Sequence, residues 1–122
     1  MLLKSIFSMR VVIANPPWPG GGYGIRTNTR WPHKLGAKIL VYPVYLGYAS
    51  SVLKQEGFEV YPIDAVEKEM GIYQFTEELK NINPKVIVLE ISAPSLNYDL
   101  ETAQALKHAL PDAAIIFCGV HA

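Results

Sequence analysis

Four short apolar runs limit what this chain can fold into more than any other feature. They are "RVVIA" (Arg10–Ala14), "FEVYPI" (Phe58–Ile63), "KVIVLEI" (Lys85–Ile91) and "AAIIFC" (Ala113–Cys118). The first, third and fourth are nearly continuous in Val, Ile and Ala, as strands covered by helices on both faces are. The second alternates and contains Pro62, which cannot donate to a ladder and belongs on an edge strand. Helical patterns lie between the runs. Tyr45, Leu46, Ala49, Val52 and Leu53 form one stripe, stopped by Gly57. Phe75, Leu79 and Ile82 form a second, ended by Pro84, and Leu96, Leu100, Ala103, Leu106 and Leu110 a third, ended by Pro111. Asp99 and Glu101 in the first turn of the third helix, with Lys107 and His108 in its last, complement the helix dipole.

Strands that alternate with helices imply a parallel sheet with right-handed crossovers. With the second strand at an edge, the order 2-1-3-4 follows, in a three-layer α/β fold of flavodoxin-like (Rossmann-like) type. That order normally closes with a fifth strand and helix, whereas this chain stops at "CGVHA". The fifth strand is therefore expected to be missing. The apolar edge of the fourth is then expected to invite self-association. Residues 1–9 read as an N-terminal extension, with Met9 as an alternative start, and residues 10–122 as one domain truncated at its C-terminal end.

Composition narrows the function. The chain has 122 residues, half of them hydrophobic, which suffices for one core and not for two. Eleven basic residues balance eleven acidic ones, so there is no basic surface for nucleic acid. No apolar run approaches the roughly 20 residues of a membrane span, and Arg10 interrupts what would otherwise be a signal-like start. Cys118 is the single cysteine, too few for an internal disulfide, a zinc knuckle or a cysteine-held cluster. A reducing, cytoplasmic location fits, with Cys118 a small buried hydrophobe.

Ligands of open parallel sheets bind beyond the carboxyl ends of the strands, where the strand order reverses. The segments there are "NPPWPGGGYGIRTNTRWPHKLG" (Asn15–Gly36), "DA" (Asp64, Ala65), "SAPSLN" (Ser92–Asn97) and "GVHA" (Gly119–Ala122). Such a rim suits a broad, neutral ligand held by shape and backbone hydrogen bonds. "GGGYG" lacks the Lys-Ser or Lys-Thr of a phosphate-cradling loop and matches a dinucleotide fingerprint weakly, so it reads as a flexible loop. A phospho-acceptor receiver would need acidic residues where Asn15 and Ser92 stand. No catalytic triad, carboxylate pair or metal-ligand set stands out. Asp64 reads equally as a ligand group or a turn anchor. Ser92 could simply satisfy the backbone where its strand stops. His33 and His108 read as surface residues, His121 as either site or turn, and Trp18 and Trp31 as packing groups for the domain, a ligand or a partner.

Four stretches in order, "NPPWP", "YPVYLGYASSVLKQEGFEVYPIDA", "ISAPS" and "ALPDAAIIFCGVHA", resemble the N-terminal cobalamin-binding domain of cobalamin-dependent radical S-adenosylmethionine enzymes. The resemblance covers nearly all of the chain from Arg10 onward. It implies that Asn15, Pro16, Pro17 and Trp18 lie beside a corrin ring, with Tyr42, Pro43 and Leu46 shaping its bed and Asp64 lining the second loop. Ser92, Ala93, Pro94 and Ser95 would meet the ring or its nucleotide tail, and Gly119 would let the backbone approach, with His121 nearby. The loop after the first strand lacks the Asp-x-His-x-x-Gly of many cobalamin domains, which implies base-off binding with no protein His on cobalt. "CGVHA" departs from the family's Gly-Gly-Pro-His-Ala at Cys118 and Val120.

The family's Cys-x-x-x-Cys-x-x-Cys motif is absent, so the resemblance puts the iron–sulfur cluster and S-adenosylmethionine in a C-terminal domain beyond this chain. It implies methyl or alkyl transfer, or a related radical reaction, for the whole enzyme and no catalytic residue here. Two other readings stand beside it. One is a cofactor-free domain of the same fold serving substrate recognition or as a scaffold; the other is a flavodoxin-like flavin or nucleotide binder.

Overall fold

The computed structural model describes residues 8–20, 23–26, 33–36 and 43–119. Strand β1 (Arg10–Asn15) is followed by two three-residue strands, β2 (Tyr23–Ile25) and β3 (His33–Leu35). Helix α1 (Val44–Gln55), strand β4 (Glu59–Asp64), helix α2 (Ile72–Ile82) and strand β5 (Val86–Glu90) come next. A 3-10 turn at Ala93–Ser95 leads into helix α3 (Leu96–Ala109), and strand β6 (Ala114–Cys118) ends the described chain. The main sheet is parallel, in the order β4-β1-β5-β6. This is the flavodoxin-like α/β arrangement expected from the four runs, with β4 carrying Pro62 at one edge and β6 at the other.

The strand patterns follow from position in the sheet. Central β1 is buried from Val11 to Asn15, whereas edge strand β4 buries only Ile63. Ser8 and Met9 lie alongside β4's start: Ser8 Oγ donates to the Gly57 carbonyl at 2.8 Å, and Glu59 N–H donates to Met9 O at 3.0 Å. On one face, Val12, Ala14, Ile63, Ile87 and Leu89 pack against Phe75 and Leu79 of α2 and Ala103 and Leu106 of α3. Burying a side chain such as Phe75 or Leu79 contributes roughly 1.5–3 kcal/mol. On the other face Val11, Ile13 and Leu46 form a smaller cluster, flanked by Leu53, Val88 and Cys118.

Two helices turn a different side inward from the one their apolar stripes suggest. In α1, Leu46 and Ser50 are buried with Leu53 half-buried, while Tyr45, Ala49 and Val52 face out. In α3 the inward face is Asp99, Thr102, Ala103 and Leu106, and Leu96 and Leu100 are exposed. With α3 facing this way, Asp99 reaches a buried cation. The expected loop after β1 is also partly ordered, since β2 and β3 pair antiparallel with Gly24 opposite Lys34.

Candidate functional site

At the carboxyl end of the sheet the chain places a buried guanidinium. Arg26, directly after β2, is 3% exposed and lies between the segment after β1 and the start of α3. Its guanidinium carries five N–H donors, and five acceptors meet them. Nη1 donates to Asn15 Oδ1 at 2.9 Å and to the Pro16 carbonyl at 2.7 Å. Nη2 donates to the Pro17 carbonyl at 2.9 Å and to Asp99 Oδ1 at 2.6 Å. Nε donates to Ser95 Oγ at 3.3 Å. The two charged side chains are fully enclosed, and the Trp18 ring covers the cation, its centroid 5.0 Å from Cζ. Burial lowers the Arg26 pKa; the adjacent Asp99 charge and its hydrogen bond oppose that fall.

The local sequence explains how Arg26 reaches this place. Pro16 and Pro17 have no N–H, so their carbonyls turn inward without leaving a donor unpaired. The Trp18 indole lies directly on Gly24, where an added Cβ would come within 1.8 Å of the ring. "GGGYG" is thus not merely a flexible segment: Gly24 is the close approach that seats Trp18 over Arg26. Asp99 is completed on its other oxygen by Ser95 Oγ at 2.7 Å and by Ser92 N–H at 3.3 Å.

Across the sheet, Asn15 and Asp64 stand opposite each other in register. Asn15 Nδ2 donates to Asp64 Oδ1 at 2.9 Å, and the same oxygen accepts the backbone N–H groups of Val66 and Glu67 at 3.2 Å. Asp64 is therefore a turn anchor in this structure. Glu90 and Cys118 are opposite each other at the ends of β5 and β6. Glu90 is 6% exposed, and its Oε2 is enclosed without a hydrogen-bond partner. Burial raises its pKa; Arg26 pulls it down and Asp64 pushes it up. Burial likewise pushes the Cys118 thiol up, with the Glu90 charge adding to it.

The residues singled out from sequence divide into two groups. Asn15, Pro16, Pro17, Trp18, Ser92 and Ser95 are brought together, all buried. All six are taken up by the Arg26–Asp99 assembly as hydrogen-bonding partners or, for Trp18, as its cover. Ala93, Pro94 and Gly119 are exposed on the lip, with Pro43 and Asp64 half-exposed. Pro43, Leu46 and Asp64 also line a cavity of about 310 Å³, together with Ile13, Pro62 and Glu67. Gly119 has φ +114°, and a Cβ there would lie 2.8 Å from the Ile91 carbonyl, so only glycine fits. Tyr42, Trp31 and His121 lie outside the described residues, and His108 is exposed as expected. The acceptors beneath the lip are thus spent on Arg26. The exposed part of the lip, Ala93, Pro94 and Gly119, is built from small residues.

Arg26, Asp99 and Glu90 were not foreseen as site residues. The signal lay in Ser92, Ser95 and Asp99, three polar residues spaced by three and four positions where β5 gives way to α3, and in Arg26, a cation directly after a run of glycines and aromatics. Among the described residues no group of His, Cys, Asp or Glu is arranged to hold a metal ion, and no helix is long and apolar enough to cross a membrane.

Comparison with known proteins gives a distant relationship. The chain is 26% identical over 115 residues to the anaerobic magnesium-protoporphyrin IX monomethyl ester cyclase of Cereibacter sphaeroides. That match takes in 93% of this chain and 17% of the cyclase, so the chain corresponds to a small part of a much longer enzyme. No family model and no solved structure matches.

Proposed function

We propose that this chain is the cobalamin-binding domain of a cobalamin-dependent radical S-adenosylmethionine enzyme, with the cluster and S-adenosylmethionine held by a C-terminal domain. The observation that carries this reading is where the four family-like stretches end. "NPP" begins at the end of β1, the "ID" of the second stretch ends β4, "SAPS" follows β5, and the Gly of "CGVHA" follows β6. All four meet beyond the carboxyl ends of one parallel sheet, the side on which ligands of this architecture bind. The relationship to a segment of a tetrapyrrole cyclase supports it.

In this reading Pro43, Leu46, Ala93, Pro94 and Gly119 form the bed of the corrin. Asn15, Pro16, Pro17, Trp18, Asp64, Ser92 and Ser95 brace that bed from below. No protein side chain is assigned to cobalt; base-off binding is what the family resemblance would imply. When bound, the cofactor supplies a carrier for methyl or alkyl groups; this chain's residues only hold and orient it. The test is titration with hydroxocobalamin, desalting, and a visible spectrum, repeated on a longer chain that reaches past β6. Retained pigment supports the reading, and colourless protein in both cases refutes it.

A second reading, a cofactor-free domain of the same fold used for recognition or as a scaffold, is favoured by one observation. The polar crevice is already saturated by the chain's own side chains. A folded chain that stays colourless at either length is the outcome it requires.

A further inference from the structure

The place where this fold receives the deepest part of a ligand lies between the ends of β1 and β5, at the reversal of strand order. In this chain it contains a complete set of hydrogen-bond acceptors for one guanidinium: Asn15 Oδ1, the carbonyls of Pro16 and Pro17, Ser95 Oγ and the Asp99 carboxylate. Every acceptor is occupied from inside, and Trp18 covers the cation. A ligand group entering here would have to displace a paired charge, and breaking such a pair costs several kcal/mol unless its replacement is equally well matched. A nucleotide tail carries an anionic phosphate and has no match for Asp99.

We infer that Arg26 is a built-in occupant of the switch-point crevice, so that a corrinoid on this rim is recognised through its ring alone and its nucleotide tail adds nothing to affinity. The inference rests on the cobalamin reading above and deepens it by naming which part of the ligand is read. Specificity then resides in the lip residues Ala93, Pro94, Gly119 and Pro43, which are exposed or half-exposed. The hydroxyls of Ser92 and Ser95 serve the protein rather than the ligand.

Two measurements test this. The first uses the unaltered chain, extended past β6 if needed for retention, and compares hydroxocobalamin with diaquocobinamide, which has the ring but no nucleotide tail. Dissociation constants within about twofold of each other are expected; preference for the tailed compound above about tenfold, or 1.4 kcal/mol, overturns the inference. The second makes Arg26→Ala and follows its melting temperature with added methylguanidinium chloride, using methylammonium chloride as the control. A saturable rise with methylguanidinium alone, absent in the unaltered chain, is expected of a crevice shaped for this cation. Equal effects of the two salts would show that Arg26 does not fill a defined site. If neither corrinoid is retained, the cobalamin reading fails, and the methylguanidinium result still decides whether Arg26 is the crevice's occupant.

Discussion

Replacing Asp99 by Asn removes one charge from the enclosed pair and little else. Asn keeps an oxygen to accept from Arg26 and nearly the same volume, but Arg26 is left as a net charge with no exposure to water. Removing one partner of a buried ion pair costs about 3–5 kcal/mol, because the remaining charge is uncompensated. A domain of this size has roughly 5–15 kcal/mol of total stability, so Asp99→Asn should lower the urea midpoint severely. Arg26→Met should cost a similar amount, since it strands Asp99 and the Pro16 and Pro17 carbonyls, and it also removes the Trp18 contact, worth about 1–2 kcal/mol when desolvated. The double variant Arg26→Met/Asp99→Leu leaves no buried charge, so it should lose clearly less than the sum of the two. The assay is urea unfolding followed by far-ultraviolet circular dichroism, arranged as a double-mutant cycle. A coupling of 2 kcal/mol or more is expected, roughly, for charges in direct contact. Additivity within about 0.5 kcal/mol would refute the claim that the pair holds the β1 segment to α3.

Three further outcomes follow from the same structure. Folded Glu90 holds its proton more tightly than the unfolded chain does, so its contribution to stability is complete below the ordinary carboxylate pKa. That contribution is lost as pH rises through the raised one. Glu90→Gln should flatten this fall in a series of urea titrations from acidic to neutral pH, and an unchanged slope would contradict the burial of Glu90. Gly24→Ala puts a methyl into the Trp18 ring; overpacking of this kind costs about 1–3 kcal/mol, read as a lower melting temperature with altered Trp fluorescence. Ile116 is 50% exposed on β6, the edge strand of the described sheet, next to Phe117 at 36%. Ile116→Lys should reduce concentration-dependent association in sedimentation velocity, and identical sedimentation of both proteins over the same concentrations would count against that edge as the contact.

The sequence by itself determined the parallel sheet and its order. Unbroken Val and Ile runs need cover on both faces, and Pro62 restricts its strand to an edge, as the β4-β1-β5-β6 order bears out. It also put Asn15, Asp64, Ser92 and Gly119 at one end of the sheet, because they stand at or just past the carboxyl ends of its four strands. Only the tertiary structure decided what fills the space between those ends. Arg26 and Asp99 are 73 positions apart, and no local pattern joins a cation after a glycine-rich loop to an acid in the first turn of a helix. Once α3 rotates to bury Asp99, Leu96 and Leu100 are turned outward, against their own hydrophobic pattern. The enclosed, fully hydrogen-bonded pair balances lost hydration against direct contact. That balance exists only when both partners have been taken out of water together.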